Sequence, residues 1–383
     1  RRRNMHMAEG QRKVKLYTGS YNAPVVTGDG SVYLGKGKGI QVFLFDEEEG
    51  KLEAFESYPD VKNASWMTFS PDGRTLYAVN ELDDYEDTKG GALSALSVDE
   101  NGRLSLQNCL PVMGAAPCHV DCGPGGGHVF TANYNGGSLS SFVTGEDGCL
   151  KVMDCQISYQ LKEDRPEGCN QVRQEKSHVH SASVFRGHLW VADLGTDEIS
   201  VYKLDESGRI MGGREGGVPK ACHVVKLPAG SGPRSLAFRE DGHIYVSCEL
   251  SDEIGILHWE GSRILLEGFV SCTPEKGDGG ERNFPGGILL SKDGNYLYAG
   301  NRGHDSIAVF DAGGSGLPKC IQWISSGGKN PRGFQLSPSE RWLLGANQNS
   351  DNLVVFRRNK ETGTLTEHAR YDVGAVVCLV FLR

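Results

Sequence analysis

One pattern recurs six times along the 383-residue chain. It reads NASWMTFSPDGRTLYAVN at 63–80, APCHVDCGPGGGHVFTAN at 116–133, SHVHSASVFRGHLWVAD at 177–193, GPRSLAFREDGHIYVSCE at 232–249, FPGGILLSKDGNYLYAGN at 284–301 and NPRGFQLSPSERWLLGAN at 330–347. Each copy opens on a small residue, Pro or His, and continues as an apolar run. A turn around Asp-Gly or an equivalent follows, then a second apolar run that closes on Asn, Asp or Glu. A third run comes after a short gap (SSFV, ISVYKL, IGILHW, IAVFD, LVVFRR), and often a fourth after a Gly turn (GRLSLQ, GTLTEH). The closing positions 80, 133, 193, 249, 301 and 347 lie 46 to 60 residues apart. Short strands at regular spacing indicate an all-β fold, and four strands per unit of this length select a β-propeller.

Six units are complete, and the chain ends supply a seventh. KLYTGS (15–20) has the character of a second strand, with IQVFLFD and KLEAF as its third and fourth. GAVVCLVFL (374–382) has the character of the missing first strand. The expectation is a seven-bladed propeller of four antiparallel strands per blade. The last blade is closed by strands from both termini, which leaves no terminal blade with an open edge. No linker or shift of composition divides residues 14–383, which read as one domain. Residues 1–13, with the start RRRNMHMAEG, read as a disordered leader or an expression remnant, since they lack the apolar core of a signal peptide. The stretch QLKEDRPEGCNQVRQEK (160–176) reads as a polar loop over one face, and GPGGG (123–127) as a turn within a repeat.

Composition narrows the function classes. The 52 glycines suit a fold with many tight turns. A net charge of −9 argues against a nucleic-acid partner, which is ordinarily met by a basic face, yet leaves room for a small basic pocket. No apolar run is long enough for a membrane-spanning helix. The eleven cysteines form no CxxC pair, and they read as reduced thiols of a cytoplasmic protein.

The repeat also locates the channel. First strands line the axis of a propeller, so one register should recur around it. The position after the Pro-like residue carries Cys118, Arg234, Gly286 and Arg332. The next carries His119, His180, Ser235, Gly287 and Gly333. The second strands close on Asn80, Asn133, Asp193, Glu249 and Asn301. Most of these are small or amide groups suited to turn capping. His180, Arg234, Glu249, Arg302 and Arg332 are not, and together they would bring cations and a carboxylate to one end of the channel. Arginines there suit carboxylates and phosphates through paired hydrogen bonds. Each has a plainer reading as well: a bridge between blades for Arg234 and Arg332, a turn cap for Glu249, a solvated charge for Arg302. His178 and His180, two apart on a strand, have the spacing of a metal pair, but no further His stands at a suitable distance. No metal or cofactor is implied, and no nucleophile elbow or phosphate loop appears.

The ordered run SHVHSA, GPRSLAF, CEL, NRGHDSIAVF, NPRGF and ANQNSDNLVVF resembles the lactonase family of seven-bladed propellers, from about Val14 to the C-terminus. That family includes the bacterial propeller-type 6-phosphogluconolactonases and the fungal carboxy-cis,cis-muconate lactonizing enzymes. The resemblance implies an active-site set of His180, Arg234, Glu249 and Arg302. Ser235 departs from the His that relatives often carry after GPR. The same channel positions offer Arg332, His119, Asp193, Asn301 and Asn347 as substrate contacts, with Lys176 as a further cation.

The reaction so implied is metal-independent hydrolysis of 6-phosphogluconolactone in the pentose phosphate pathway. Glu249 serves as general base, His180 as its partner or alternate, and Arg302 and Arg234 as anchors for the anion and the oxyanion. A cycloisomerase of the muconate type would use the same arginines on a dicarboxylate. A non-catalytic interaction scaffold would show no charge cluster at the channel, and the Trp-Asp and Gly-His signatures of one common scaffold type are lacking. The partner is a small anionic molecule. A closed ring needs no second chain to satisfy its strands, so a monomer is expected.

Overall fold

A computed structural model describes residues 13–28, 30–161, 167–274 and 282–382. Residues 1–12, most of the expected leader, lie outside the described residues. Seven four-stranded antiparallel sheets stand around an axis. The blades are numbered here from the one that holds both ends of the chain. In blade 1 the innermost strand, Val376–Phe381, pairs with Lys13–Ser20, followed outward by Ile40–Asp46 and Lys51–Tyr58. Blades 2 to 7 follow in chain order, with inner strands Ala64–Phe69, Pro117–Cys122, Val179–Phe185, Pro233–Phe238, Phe284–Leu290 and Pro331–Leu336. Each inner strand packs against the next, and Pro331–Leu336 meets Val376–Phe381, which closes the ring. Among the described residues the single helical turn is Pro124–Gly126, inside the GPGGG turn.

Sheets packed face to face have no polar face to spare near the axis. The second strands Thr75–Asn80, His128–Asn133 and Trp342–Asn347 are accordingly buried along their whole length. The outermost strand of blade 6, Lys319–Ser325, alternates between exposed and half-buried residues, as a half-solvated strand must. Apolar side chains gather into a separate core between each pair of neighbouring blades. Blades 7 and 1, for example, share Trp342, Leu344, Phe45, Leu16 and Phe381.

A polar lock repeats on top of these cores. Tyr17, Tyr77 and Tyr298, each on a second strand, donate their hydroxyls to Gly102, Gly148 and Gly363, in the outer turn of the following blade. In blade 7 the lock comes from two residues earlier on the second strand, where Trp342 Nε1 donates to the Glu47 carbonyl at 2.8 Å. Trp342 thus joins the last blade to the first and packs edge-on to Phe45. Trp342→Ala is expected to cost about 3–5 kcal/mol, because the cavity cannot collapse between two rigid sheets. Urea unfolding measures it, and a midpoint close to wild type would refute the role.

Each inner strand is broken by a β-bulge near its start. The register shifts between Ala64 and Met67, Pro117 and His119, Val179 and Ser181, Pro233 and Leu236, Pro285 and Ile288, and Pro331 and Gly333. In blade 1 the extra residue is Val377. A bulged residue has no cross-strand partner, so its side chain can be re-aimed. This device, rather than the regular pleat, supplies the channel.

Candidate functional site

At the end of the channel where the inner strands begin lies a cavity of about 680 Å³. Two tiers of side chains build it. The lower tier is the set of bulged residues: Cys118, His180 and Arg332 line the cavity from blades 3, 4 and 7, and Arg234 of blade 5 is buried just beneath it. Blade 6 has Gly286 at that place, and a Cβ there would stand 3.3 Å from Arg302 Nε. The missing side chain leaves room for the Arg302 guanidinium.

The upper tier consists of the residues that follow the closing position of the second strands: Tyr21, Glu81, Tyr134, Glu249, Arg302 and Gln348. The equivalent of Asn80, Asn133, Asp193, Asn301 and Asn347 in blade 5 is Cys248, paired with Pro233, and not Glu249. The sequence alignment placed Glu249 one residue early and His180 one residue late. With side chains alternating along a strand, one residue decides whether a group meets the cavity or turns away from it.

That alternation corrects four expected substrate contacts. Asp193 is buried away from the cavity, where it accepts hydrogen bonds from the Ser177 hydroxyl at 2.6 Å and the His178 and Gly195 amides. Asn301 is fully buried and donates to the Cys272 carbonyl and the Ser306 hydroxyl. Asn347, also fully buried, donates to the Ser326 carbonyl. His119 lies below the cavity, stacked on Trp66 at 4.7 Å. Lys176 is likewise elsewhere, with its Nζ on the Asn135 carbonyl. His178 and His180 do not act as a pair either: His178 contacts Glu175 and the Tyr134 carbonyl, whereas His180 Nδ1 stands 3.6 Å from Cys118 Sγ.

Glu249 is the centre of the site, with 3% of its side chain exposed. Arg302 Nη2 lies 2.7 Å and Arg234 Nε 3.0 Å from its Oε2. Neither cation aims an N–H squarely at Oε2, so that oxygen has ion-pair partners but no well-formed hydrogen bond. A third guanidinium was not foreseen. Arg173 donates from Nη2 to Glu249 Oε1 at 2.6 Å and to the Tyr134 hydroxyl at 2.9 Å. It comes from the loop after blade 3, where no periodicity marks a residue as inward-facing. Across the cavity Arg332 stands 3.6 Å from Glu81 and over the Tyr21 ring, and Tyr21 donates to Glu81 at 2.9 Å. Four guanidiniums thus face two carboxylates. The hairpin Pro24–Val26 with Val32–Leu34 adds Val25, Val26 and Thr27 to the wall, and Arg282 and Lys329 stand at the rim, Lys329 paired with Asp305.

The excess positive charge sets the acid–base state. Burial alone would raise the Glu249 carboxyl, but Arg302, Arg173 and Arg234 hold it well below the ordinary carboxylate range. Burial, then Arg234, pushes His180 well below a normal imidazole and His119 down to about 3. Both histidines therefore stay neutral in the fold, while the unfolded chain takes up protons below pH ~6.5. Stability is full above that value and falls as pH is lowered, by at most about 1.4 kcal/mol per pH unit for each. Glu249 adds its own loss only below the ordinary carboxylate value of 4.5. Melting temperatures between pH 8 and 5 should decline toward acid, with a shallower slope in His119→Phe. An unchanged slope would contradict a neutral His119.

A charge cluster at the channel is what an interaction scaffold would not have. A family model described as "Lactonase, 7-bladed beta-propeller" matches residues 15–381. The chain is 31% identical over 361 residues to a 6-phosphogluconolactonase of Bacillus subtilis, covering 92% of this chain and 97% of that one. It is 32% identical to a 6-phosphogluconolactonase of Formosa agariphila, over 86% of this chain and 91% of the relative. A solved periplasmic gluconolactonase of Pseudomonas aeruginosa superposes with a TM-score of 0.81 at 29% identity, covering 96% of this chain and 99% of that one. Blade number, ring closure and matched length agree, and the chain belongs to the lactonase family of seven-bladed β-propellers.

Proposed function

We propose that the protein hydrolyses 6-phosphogluconolactone to 6-phosphogluconate, the hydrolytic step of the pentose phosphate pathway. The observation that carries this reading is a buried carboxylate amid guanidiniums that outnumber the acids of the cavity. An anionic sugar lactone offsets that excess. Arg332, near Gln348 and Asn330 at the cavity wall, takes the phosphate, and Arg302 and Arg234 take the lactone carbonyl as it becomes an oxyanion. Water attacks the carbonyl carbon. Glu249 accepts its proton, and the carbon–ring oxygen bond then breaks. The proton passes to the departing alkoxide, directly or through His180.

The guanidiniums weaken Glu249 as a base, and a bound phosphate partly offsets their field and restores its basicity. Once protonated, the same carboxyl is a strong acid toward the alkoxide. Substrate charge and catalysis are coupled in this way. The eleven free cysteines support a reducing, cytoplasmic setting.

The test compares freshly generated 6-phosphogluconolactone with glucono-lactone lacking the phosphate, and includes a muconate monitored in the ultraviolet. A preference of at least about 100-fold in kcat/KM for the phosphorylated lactone is expected, equivalent to one well-formed charged contact of ~2.7 kcal/mol. Arg332→Met should erase most of it through KM. Equal rates on the two lactones would assign the protein to unphosphorylated sugar lactones, and turnover of the muconate alone would assign it to cycloisomerisation.

A further inference from the structure

Blade 5 carries a second cluster of ligand-type side chains at the far end of the strand that leads to Glu249. We infer that His243, His258 and Glu267 form a transition-metal site, best suited to zinc. One ligand atom from each lies within 4.8 Å of the others. His243 Nε2 stands 3.4 Å from Glu267 Oε2, and His258 Nδ1 3.5 Å from Glu267 Oε1. Bonds of ~2.1 Å at tetrahedral angles set ligand atoms about 3.4 Å apart, and each imidazole stands at that distance from one of the two Glu267 oxygens.

The backbone explains the convergence. His243 and His258 are directly opposed on the second and third strands. On the fourth strand the register slips so that Ile256 faces Gly268 and Leu257 faces Leu266, which leaves Glu267 as the bulged residue. Its side chain turns back toward both imidazoles. Asp241 Oδ1 lies 2.9 Å from His243 Nδ1, the outer partner that orients a ligating histidine through its other nitrogen. Arg239 Nη2 also stands 2.9 Å from that nitrogen and has to turn away when Nδ1 carries the proton; Asp241 holds the same guanidinium through Nε on both carboxylate oxygens. The two rings are stacked at 4.3 Å and 3°. Binding requires them to turn out of that stack about their terminal torsions, which are soft. All three groups are partly exposed, so a cation can enter and keep a water as fourth ligand.

Blade 3 provides an internal control. His128 and the bulged Asp154 occupy the corresponding places, 3.3 Å apart, but the third-strand residue opposite His128 is Val143. Two ligands stand there instead of three.

The experiment uses the full chain freed of metal by a chelator, titrated with Zn²⁺ by calorimetry and with Co²⁺ by visible absorption. One saturable site is expected, with the intense absorption of four-coordinate Co²⁺. His258→Val and Glu267→Gln should each weaken Zn²⁺ binding by at least about tenfold, and His128→Ala should leave it unchanged. Zinc should raise the melting temperature of the wild type and not of His258→Val, because it ties three strands together. Lactone hydrolysis should be indifferent to the chelator. The proposal is overturned if the wild type binds no Zn²⁺, or if both ligand variants melt like the wild type and bind it equally well.

Discussion

Glu249→Ala is expected to abolish lactone hydrolysis and to destabilise the fold at the same time. Removal of a positioned general base costs typically 10²–10⁴-fold, so kcat/KM should fall by about 10³ or more. The stability effect comes from what remains. Arg173, Arg234 and Arg302 all rest on this one carboxylate, two of them on the same oxygen. Without it they face one another with side chains that are at most 16% exposed. Breaking a buried ion pair from one side costs about 3–5 kcal/mol. Glu249→Gln should lose activity to a similar extent but keep more of the packing. Inorganic phosphate should raise the melting temperature of Glu249→Ala more than that of the wild type, because an added anion replaces the lost charge, while activity stays absent. Paired kinetics and thermal melts check all three statements. A Glu249→Ala protein that hydrolyses the lactone normally would remove Glu249 from the mechanism.

The other large effect concerns ring closure. A chain ending at Val373 lacks Val376–Phe381, the inner strand of blade 1. That strand pairs with Lys13–Ser20 and packs between Pro331–Leu336 and Ala64–Phe69. Val376, Leu379 and Phe381 are buried in the process. At roughly 1.5–3 kcal/mol for each buried apolar side chain, these three alone approach the 5–15 kcal/mol that holds an ordinary domain together. The loss also leaves the backbone of Lys13–Ser20 without a partner along one edge. The truncated chain is expected to show no cooperative unfolding transition and to collect in the insoluble fraction. A melting temperature within a few degrees of the full chain would mean that six blades and a fragment can stand without the closing strand.

Much of the architecture was legible because a strand is a local object and the repeat displays it six times. GAVVCLVFL was identifiable as the closing strand from its apolar run and from the vacancy at KLYTGS. The site was legible in part. His180, Glu249 and Arg302 do line one cavity, and Arg234 is buried behind it, 3.0 Å from Glu249 Oε2. Their registers were off by one at His180, beside a bulge that no hydrophobic pattern reveals, and at Glu249, which follows the closing residue Cys248. The same slip placed Asp193, Asn301 and Asn347 at the cavity, whereas they hydrogen-bond to Ser177, Cys272 and Ser326 in the connecting segments. Arg173 left no trace in the repeat, since it reaches the site from a loop. Tyr21 and Glu81 did leave one: each follows a closing residue, as Arg302 does, and lining up Tyr21, Glu81, Tyr134, Arg302 and Gln348 would have exposed the upper tier.

The bulges have an evolutionary corollary. A side chain on an unpaired residue takes no part in knitting its sheet, so each blade can exchange the group it offers to the axis without altering its neighbours. Cysteine, histidine, arginine, glycine and valine already occupy equivalent sockets in this single chain. New substrate preferences are therefore reachable one blade at a time, on a scaffold that need not be rebuilt.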